Sequence, residues 1–258
     1  MTTPTGRYLY CIIRCSEERT FEDAVPIGDQ PGPVYTVSQD GLAVVVSDTL
    51  ARDHETTRAN MLAHQRVQER VMKEFTLLPV RFDTVAKGAR ALEDVRRLLE
   101  RRSQEFEGLL TEMEGKVELG LKALWRDEHA FFEEIATHEE AIGKLRDSLR
   151  GKSPQATHFE RIRLGEMVKR ALERRRKAKA TELLLPLSPI ACRTVENPVV
   201  VDRMILNAAF LVDGEREGEF DRAVGKLDEE VGERIALRYV GHAPPYNFVN
   251  IVVNWEEV

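Results

Sequence analysis

The stretch KVELGLKALW, residues Lys116–Trp125, begins the pattern that decides the fold of the second half of the chain. Its apolar residues Val117, Leu119, Leu121 and Ala123 recur at every second position. A period of two residues is typical of a strand with one buried face. We therefore predict a strand here, and the elements that follow it define the rest of this half.

The residues after this strand predict the order β-α-β-β-α-β, with a helical insertion at about residues 128–182. Two strands flank a turn at Asn197-Pro198, a helix carries Phe220 and Leu227, and the strand ERIALRYV follows at residues 233–240. This is the element order of the ferredoxin-like split βαβ fold. We predict that residues 113–258 form a modified ferredoxin-like domain with inserted helices and a C-terminal tail at about 241–258.

The first half, residues 1–112, predicts a separate α+β domain. RYLYCIIRC reads as a strand, and VYTVSQDGLAVVVS reads as a hairpin because Asp40-Gly41 suits a type I′ turn. Apolar residues spaced four apart over about 56–75 predict a helix, TLLPVRFDTV predicts extended chain, and a second helix is expected over about 92–110. The fold class is therefore α+β, in two domains.

Composition limits the class of protein. The 258 residues are 42% hydrophobic and 32% charged, with a formal net charge of −6, which is typical of a globular protein. No apolar run approaches the roughly 20 residues that span a bilayer, and the start lacks a signal-peptide pattern. Cys11 and Cys15 would lie roughly 13 Å apart in a strand, too far for a disulfide. We expect reduced thiols, a cytoplasmic location and no membrane partner.

The sequence contains no constellation typical of catalysis or metal binding. The tripeptide GKS at 151–153 resembles the end of a phosphate-binding loop, but Arg146 occupies the position of the first glycine. Two His-Glu pairs, which begin at His54 and His138, lack the second histidine of a zinc-protease motif. We expect no enzyme activity, no catalytic residue, no cofactor and no metal, and we interpret His64 and His138 as partly buried, hydrogen-bonded side chains. An enzyme on a ferredoxin-like scaffold stays open as an alternative, since fold does not fix function.

The predicted helix at residues 161–180 carries nine Lys or Arg residues against two Glu residues. Leu164, Val168 and Leu172 give it an apolar stripe, so the charges lie on its outer face, and no interspersed aromatic residues offer to stack on bases. We predict a partner-binding basic face rather than a nucleic-acid site. Its residues are Lys169, Arg170, Arg174, Arg175, Arg176 and Lys177. A nucleic-acid-binding regulator acting through residues 161–180 stays open as an alternative.

The chain closes with GHAPPYNFVNIVVNW, residues 241–255. Pro244 and Pro245 exclude a helix and force the chain to leave the turn extended. Beyond Phe248, alternate apolar residues including Val249 and Ile251 predict a strand with one buried side.

This ending resembles the terminal signature of the gas vesicle protein F/L family (GvpF/GvpL), whose members typically end in a G-P-W-P-P-Y-N-F-V-like segment. YLYCII, LLPVRFDTV, GKVELGLKALW and MILNAAFLVD resemble the family at corresponding places, so the likeness covers nearly the whole chain. The chain departs from the family pattern at His242 and Ala243, where Pro-Trp is usual, and at Asp83, where glycine is common.

The resemblance implies a non-enzymatic accessory or structural protein that is needed to form gas vesicles, the buoyancy compartments of microbes. It implies association with the hydrophobic shell protein and other gas vesicle accessory proteins, and members can be minor vesicle components. It also implies two α+β domains that a C-terminal tail holds together. The motif residues that we expect to anchor a domain interface are Leu78, Pro79, Arg81, Phe82, Pro244, Pro245, Tyr246, Asn247 and Phe248. We favour anchoring over ligand binding, because aromatic residues beside a rigid proline turn suit burial.

Overall fold

The computed structural model describes residues 6–28, 32–50 and 53–256, apart from the side chains of residues 128–130, 132 and 136. Helices and strands are mixed along the chain, and the strands form two sheets. The chain divides into two compact units, residues 1–118 with 241–258 (the first unit) and residues 119–240 (the second unit). This division differs from the sequence-based boundary at 112/113, which grouped the tail with the second domain.

The first unit combines an antiparallel sheet with three helices among its described residues. Its elements are β1 (Gly6–Arg14), β2 (Thr20–Phe21), β3 (Val34–Gln39), β4 (Leu42–Thr49), α1 (Arg58–Met72), β5 (Leu77–Pro79), β6 (Val85–Lys87), α2 (Ala91–Arg101) and α3 (Ser103–Met113). The sheet has the order β2-β3-β4-β1-β5, and β6 also pairs with β1. The strand β1 is therefore central to this unit.

The core of the first unit lies on both sides of β1. Residues Tyr8–Ile13 are all fully buried, and because successive strand residues point to opposite faces, both faces of β1 must be covered. On one face, Val67 and Val71 of α1 join the cluster that contains Tyr8 and Tyr10. The four-residue spacing of α1 thus delivers its apolar side chains to the sheet.

The hairpin prediction is confirmed. Asp40 and Gly41 have φ angles of 51° and 88°, and Gln39 pairs with Leu42 across the turn. Positive φ at both central residues is what a type I′ turn requires. The single helix expected over residues 92–110 is instead two helices, α2 and α3, because the backbone leaves helical geometry at Arg102 (φ −109°, ψ 19°).

The second unit contains the other sheet, of four strands. Its elements are β7 (Lys116–Trp125), α4 (Glu128–His138), α5 (Glu140–Ser148), α6 (His158–Leu184), β8 (Arg193–Glu196), β9 (Met204–Asp213), a short 3₁₀ turn (Gly214–Arg216), α7 (Glu217–Val231) and β10 (Ile235–Ala243). The first three residues of β7 and the last three of β10 belong to the first unit. The strand order is β10-β7-β9-β8. Each β-helix-β connection therefore steps over one strand, since β9 separates β7 from β8, and β7 separates β9 from β10.

Three helices, α4 to α6, lie between β7 and β8 along the chain, where the sequence predicted a helical insertion. The strand prediction for residues 116–125 is confirmed, with Leu119, Leu121 and Ala123 fully buried. The helix pattern after β7 is split into α4 and α5 at Glu139, whose φ and ψ of −96° and 90° are not helical.

Candidate functional site

The C-terminal strap, residues 244–252, lies in the first unit and contains the PPYNFV motif. The backbone N–H groups of Phe248 and Val249 donate to the Pro245 carbonyl at 3.1 and 2.9 Å, which forms a compact turn. The predicted strand after Phe248 is wrong: among the described residues the strap makes one isolated parallel bridge, between Ile251 and Val80. Side chains rather than a ladder of backbone bonds hold the strap.

The hydroxyl of Tyr246 is the first anchor of the strap. It accepts from Nε2 of Gln68 at 2.7 Å and lies 2.8 Å from Nε2 of His64. It can donate to Oε1 of Gln68 at 2.9 Å or to the Val80 carbonyl at 3.2 Å. The residue as a whole is 41% exposed, yet its hydroxyl is bonded to buried partners, and this burial raises the pKa of Tyr246. The ring is therefore partly exposed to solvent, while its hydroxyl is hydrogen-bonded to buried groups.

His64 on α1 links the strap to the sheet. Its Nδ1 lies 3.0 Å from the Tyr8 hydroxyl and its Nε2 lies 3.2 Å from the Val80 carbonyl. The Val80 carbonyl only accepts, whereas Nε2 of Gln68, 2.9 Å from the same ring nitrogen, only donates, so the two neighbours favour opposite tautomers of the neutral ring. Burial lowers the pKa of His64 to about 4. The prediction that His64 is a buried, hydrogen-bonded histidine is confirmed. For His138 the expected hydrogen bond is present, with Nδ1 2.8 Å from the Glu134 carbonyl, but the expected burial is wrong because the residue is exposed.

The segment from Leu78 to Phe82 provides the surface that the strap meets. Leu78 is fully buried, and Pro79 pairs opposite Cys11 on an edge strand. A proline is tolerated on an edge strand because the N–H that it lacks is not needed for pairing with a further strand. The guanidinium of Arg81 donates to Oδ1 of Asn250 at 2.7 Å. The two motifs, which lie more than 160 residues apart along the chain, are thus brought together in the first unit.

Phe82 is partly buried, with its ring centroid 5.8 Å from that of His64. The next residue, Asp83, has φ of 63°, the left-handed region that favours glycine. Its Oδ1 accepts from the backbone N–H of His54 at 2.8 Å and lies 3.0 Å from the His54 ring nitrogen Nδ1. Asp is among the few residues that tolerate this conformation through local hydrogen bonds. The geometry explains why an aspartate can replace glycine here.

A buried carboxylate forms the second anchor of the strap. Oε2 of Glu118 accepts from the backbone N–H of Asn247 at 3.0 Å, and Oε1 accepts from Nδ2 of Asn247 at 2.6 Å. Desolvation raises the pKa of Glu118, and the two bonds from Asn247 oppose that rise. Further along, Arg102 donates to the carbonyl of Val252 at 2.8 Å. Pro244, Pro245, Phe248, Val249 and Ile251 are buried between these polar anchors.

The predicted basic face lies on α6 in the second unit, and its arginines bond to neighbouring groups. Arg174 pairs with Glu139 at 2.9 Å, Arg175 with Glu134 at 3.6 Å, and Arg170 with Glu166 at 3.6 Å. Arg176 donates to the Asp202 carbonyl at 2.9 Å. Of the six side chains, only those of Lys169 and Lys177 make no ion pair or hydrogen bond within residues 6–28, 32–50 and 53–256. Arg174, Arg175 and Arg176 therefore bond α6 to neighbouring segments, whereas Arg170 pairs within the helix.

The sequence did not identify Gln68, Glu118 and Arg102 as partners of the strap. Gln68 is fully buried on α1, and a buried glutamine within an apolar helix face is a signal that polar bonding is required there. Nothing local links it to Tyr246, which lies 178 positions away.

Other site chemistry is limited within the part of the chain that the structure describes. No three His, Cys, Asp or Glu residues there are grouped so that they could hold a metal ion. None of the described helices has the length and apolar character to cross a bilayer. A cavity of about 530 Å³ in the second unit is lined by Trp125 and Phe131 and by charged residues that pair with one another, such as Lys179 with Glu182 at 2.7 Å.

Comparison with known proteins defines the class. Gas vesicle protein F of Nostoc sp. (strain PCC 7120) is 28% identical over 254 residues, covering 96% of this chain and 99% of that protein. Gas vesicle protein F1 of Halobacterium salinarum is 29% identical and covers 97% and 95%. The crystal structure of GvpF from Anabaena sp. PCC7120 superposes with a TM-score of 0.80 at 28% identity, over 96% of this chain and all of that one.

The chain is therefore of the class of gas vesicle accessory proteins. It belongs to the gas vesicle synthesis protein GvpL/GvpF family, whose model matches residues 6–250. The resemblance inferred from the motifs is confirmed.

Proposed function

We propose that this protein is a non-enzymatic accessory factor of gas vesicle assembly that binds the hydrophobic shell protein, and that some copies stay in the finished vesicle as a minor component. The observation that carries the proposal is the family match across residues 6–250, together with likeness to a solved GvpF chain over its full length. Other accessory proteins are further partners, and the site of action is the cytoplasm.

The strap acts in this proposal as a structural anchor rather than a ligand site. Its polar groups are already engaged by Gln68, Glu118 and Arg81, and its apolar side chains are buried. The second unit is proposed to be a modified ferredoxin-like domain, which the strand order β10-β7-β9-β8 supports because each connection steps over one strand.

The arginine bonds of α6 favour this reading over a nucleic-acid-binding regulator. Arg170, Arg174 and Arg175 are paired with carboxylates, which reduces the positive charge that α6 offers to phosphates. We expect no salt-sensitive binding to DNA or RNA and no turnover of hydrolase or nucleotidase substrates.

Two experiments test the proposal. The tagged chain, co-expressed with the shell protein, should capture it in a pull-down in which an unrelated tagged protein of similar charge captures none. Cells that lack the gene should form few or no vesicles, and the intact gene supplied on a plasmid should restore them. Normal vesicle numbers in the deletion strain, or no capture of shell protein, would remove the proposal. Immunoblots of washed vesicles test retention.

A further inference from the structure

The N-terminal half of α6 is less covered than its C-terminal half. The buried residues of this helix are Ala171, Leu172, Ala180 and Leu183, all in its second half. Residues 158–170 contain no buried residue, and at 1.5 Å per residue they span roughly 20 Å. An amphipathic helix normally buries one face along its whole length. This half of α6 therefore exposes more surface than its own fold uses.

Two large apolar side chains lie on the exposed side. Phe159 is 82% exposed and Ile162, one turn later, is 49% exposed. Residues three apart on a helix are surface neighbours, so the two form one patch. Single exposed apolar residues are ordinary. An adjacent pair on the less covered half of the helix is a candidate contact surface.

Positively charged residues lie further along the same side of the helix. At 100° per residue, Phe159, Ile162, Gly165, Lys169 and Lys177 fall within one 120° arc, which we name the α6 stripe. Lys169 and Lys177 have no ion pair within the described residues, and neither does Arg163 at the margin. Glu173, also in the arc, has no pair there, and Glu166 is engaged by Arg170. Within the arc two unpaired cations, Lys169 and Lys177, stand against one unpaired carboxylate, and Arg163 lies 40° outside it. The unpaired charge of the stripe is therefore positive and complements a negatively charged partner.

Gly165 lies in the middle of this stripe. Glycine is disfavoured in a helix interior, and a Cβ built at Gly165 would meet no atom within 4 Å. The chain's own packing therefore does not require a glycine at this position. A small residue on an exposed helix face lets the backbone of a second helix approach closely.

We propose that the α6 stripe binds one amphipathic helix of a partner protein, with apolar residues over Phe159 and Ile162 and carboxylates over Lys169 and Lys177. The stripe from Phe159 to Lys177 is roughly 27 Å long, about five turns of helix. Gly165, between the apolar pair and the lysines, would let the backbone of a partner helix approach closely. Binding to an anionic lipid surface would not require a small residue at this position. The inference rests on the proposed function, because the partner tested is the shell protein.

The test compares matched pairs of variants in the full chain. Gly165→Ala and Gly225→Ala both fill open space in a helix, so both should raise the melting temperature. Only Gly165→Ala should weaken capture of the shell protein. Phe159→Ser should weaken capture about tenfold, the factor that corresponds to losing about 1.4 kcal/mol of binding. Leu185→Ser, at a side chain that is 73% exposed outside the stripe, should not.

The outcomes separate this inference from the function on which it rests. If the unmodified chain captures shell protein and Phe159→Ser and Gly165→Ala capture it equally well, the stripe is not the binding surface, while the proposed function stands. If the unmodified chain captures none, both fall. Binding to phosphatidylserine–phosphatidylcholine vesicles that is lost in Phe159→Ser, without an effect on shell-protein capture, would assign the stripe to lipid and overturn the inference.

Discussion

Replacing Tyr246 by phenylalanine removes one oxygen atom from the centre of the strap's first anchor. That oxygen bonds to both polar atoms of the Gln68 amide and lies beside His64 and the Val80 carbonyl. The ring is retained, so the apolar contacts of the strap stay in place. The variant therefore isolates the hydrogen bonds from the packing.

The expected loss follows from what is left unpaired. Gln68 keeps its bond to the Tyr10 carbonyl, but Oε1 of this buried amide loses the hydroxyl donor. Leaving a buried polar group unsatisfied costs about 1–3 kcal/mol. For a chain of this size that lowers the melting temperature by about 2–4 °C per kcal/mol. We expect urea and thermal unfolding of Tyr246→Phe to show a loss in this range.

Tyr239→Phe is the matched control. The Tyr239 hydroxyl donates to the exposed carboxylate of Asp221 at 2.6 Å, and water can replace it there, so we expect a change below about 1 kcal/mol. If Tyr246→Phe melts like the wild type, or loses no more than Tyr239→Phe, the network does not hold the strap and the anchor role is refuted.

Three further outcomes are expected. Phe248→Ala, which truncates a buried ring of the strap, should lower the free energy of unfolding by about 3–5 kcal/mol, whereas Phe159→Ala at an exposed ring should change it by less than about 0.5 kcal/mol; equal losses in a urea titration would contradict the burial. The pKa of His64 is lowered to about 4 in the folded chain. As pH falls below about 6.5, His64 is therefore protonated in the unfolded chain before it is protonated in the folded chain. This difference should lower the free energy of unfolding by up to about 3 kcal/mol between pH 6.5 and 4. Unfolding is best followed in a Glu118→Gln background, because the raised pKa of Glu118 acts with the opposite sign, and an NMR titration of the His64 ring with a midpoint near 6.5 would exclude the effect. Arg174→Glu breaks the exposed pair with Glu139 and should lower the free energy of unfolding by no more than about 1 kcal/mol. In a filter assay neither the wild type nor this variant should bind DNA. Salt-sensitive DNA binding by the wild type that is lost in the variant would instead support the regulator alternative.

Local elements were predictable because their determinants are local. The Asp40-Gly41 turn, the helix α1 and the strand β7 follow from turn chemistry and from the period of apolar residues over ten to twenty positions. The family could be inferred because short motifs such as LPVRF and PPYNFV are read directly from the chain. Helix ends were less predictable. The breaks at Arg102 and Glu139 lie inside continuous apolar patterns, and such a pattern does not show that the backbone leaves helical geometry at one residue.

The sequence by itself determined most of the elements, their order and the family motifs, while the tertiary structure decided where helices break and what the motifs contact. The strap was expected to be a strand, yet it is a turn held by side chains, because its partners Gln68, Glu118 and Arg81 come from α1, β7 and the loop after β5. Four of the arginines on the predicted basic face of α6 bond within their own unit, which the sequence did not indicate. In both cases the packed chain decides which polar groups come within bonding distance of one another. Residues far apart in sequence carry no local signal of that pairing.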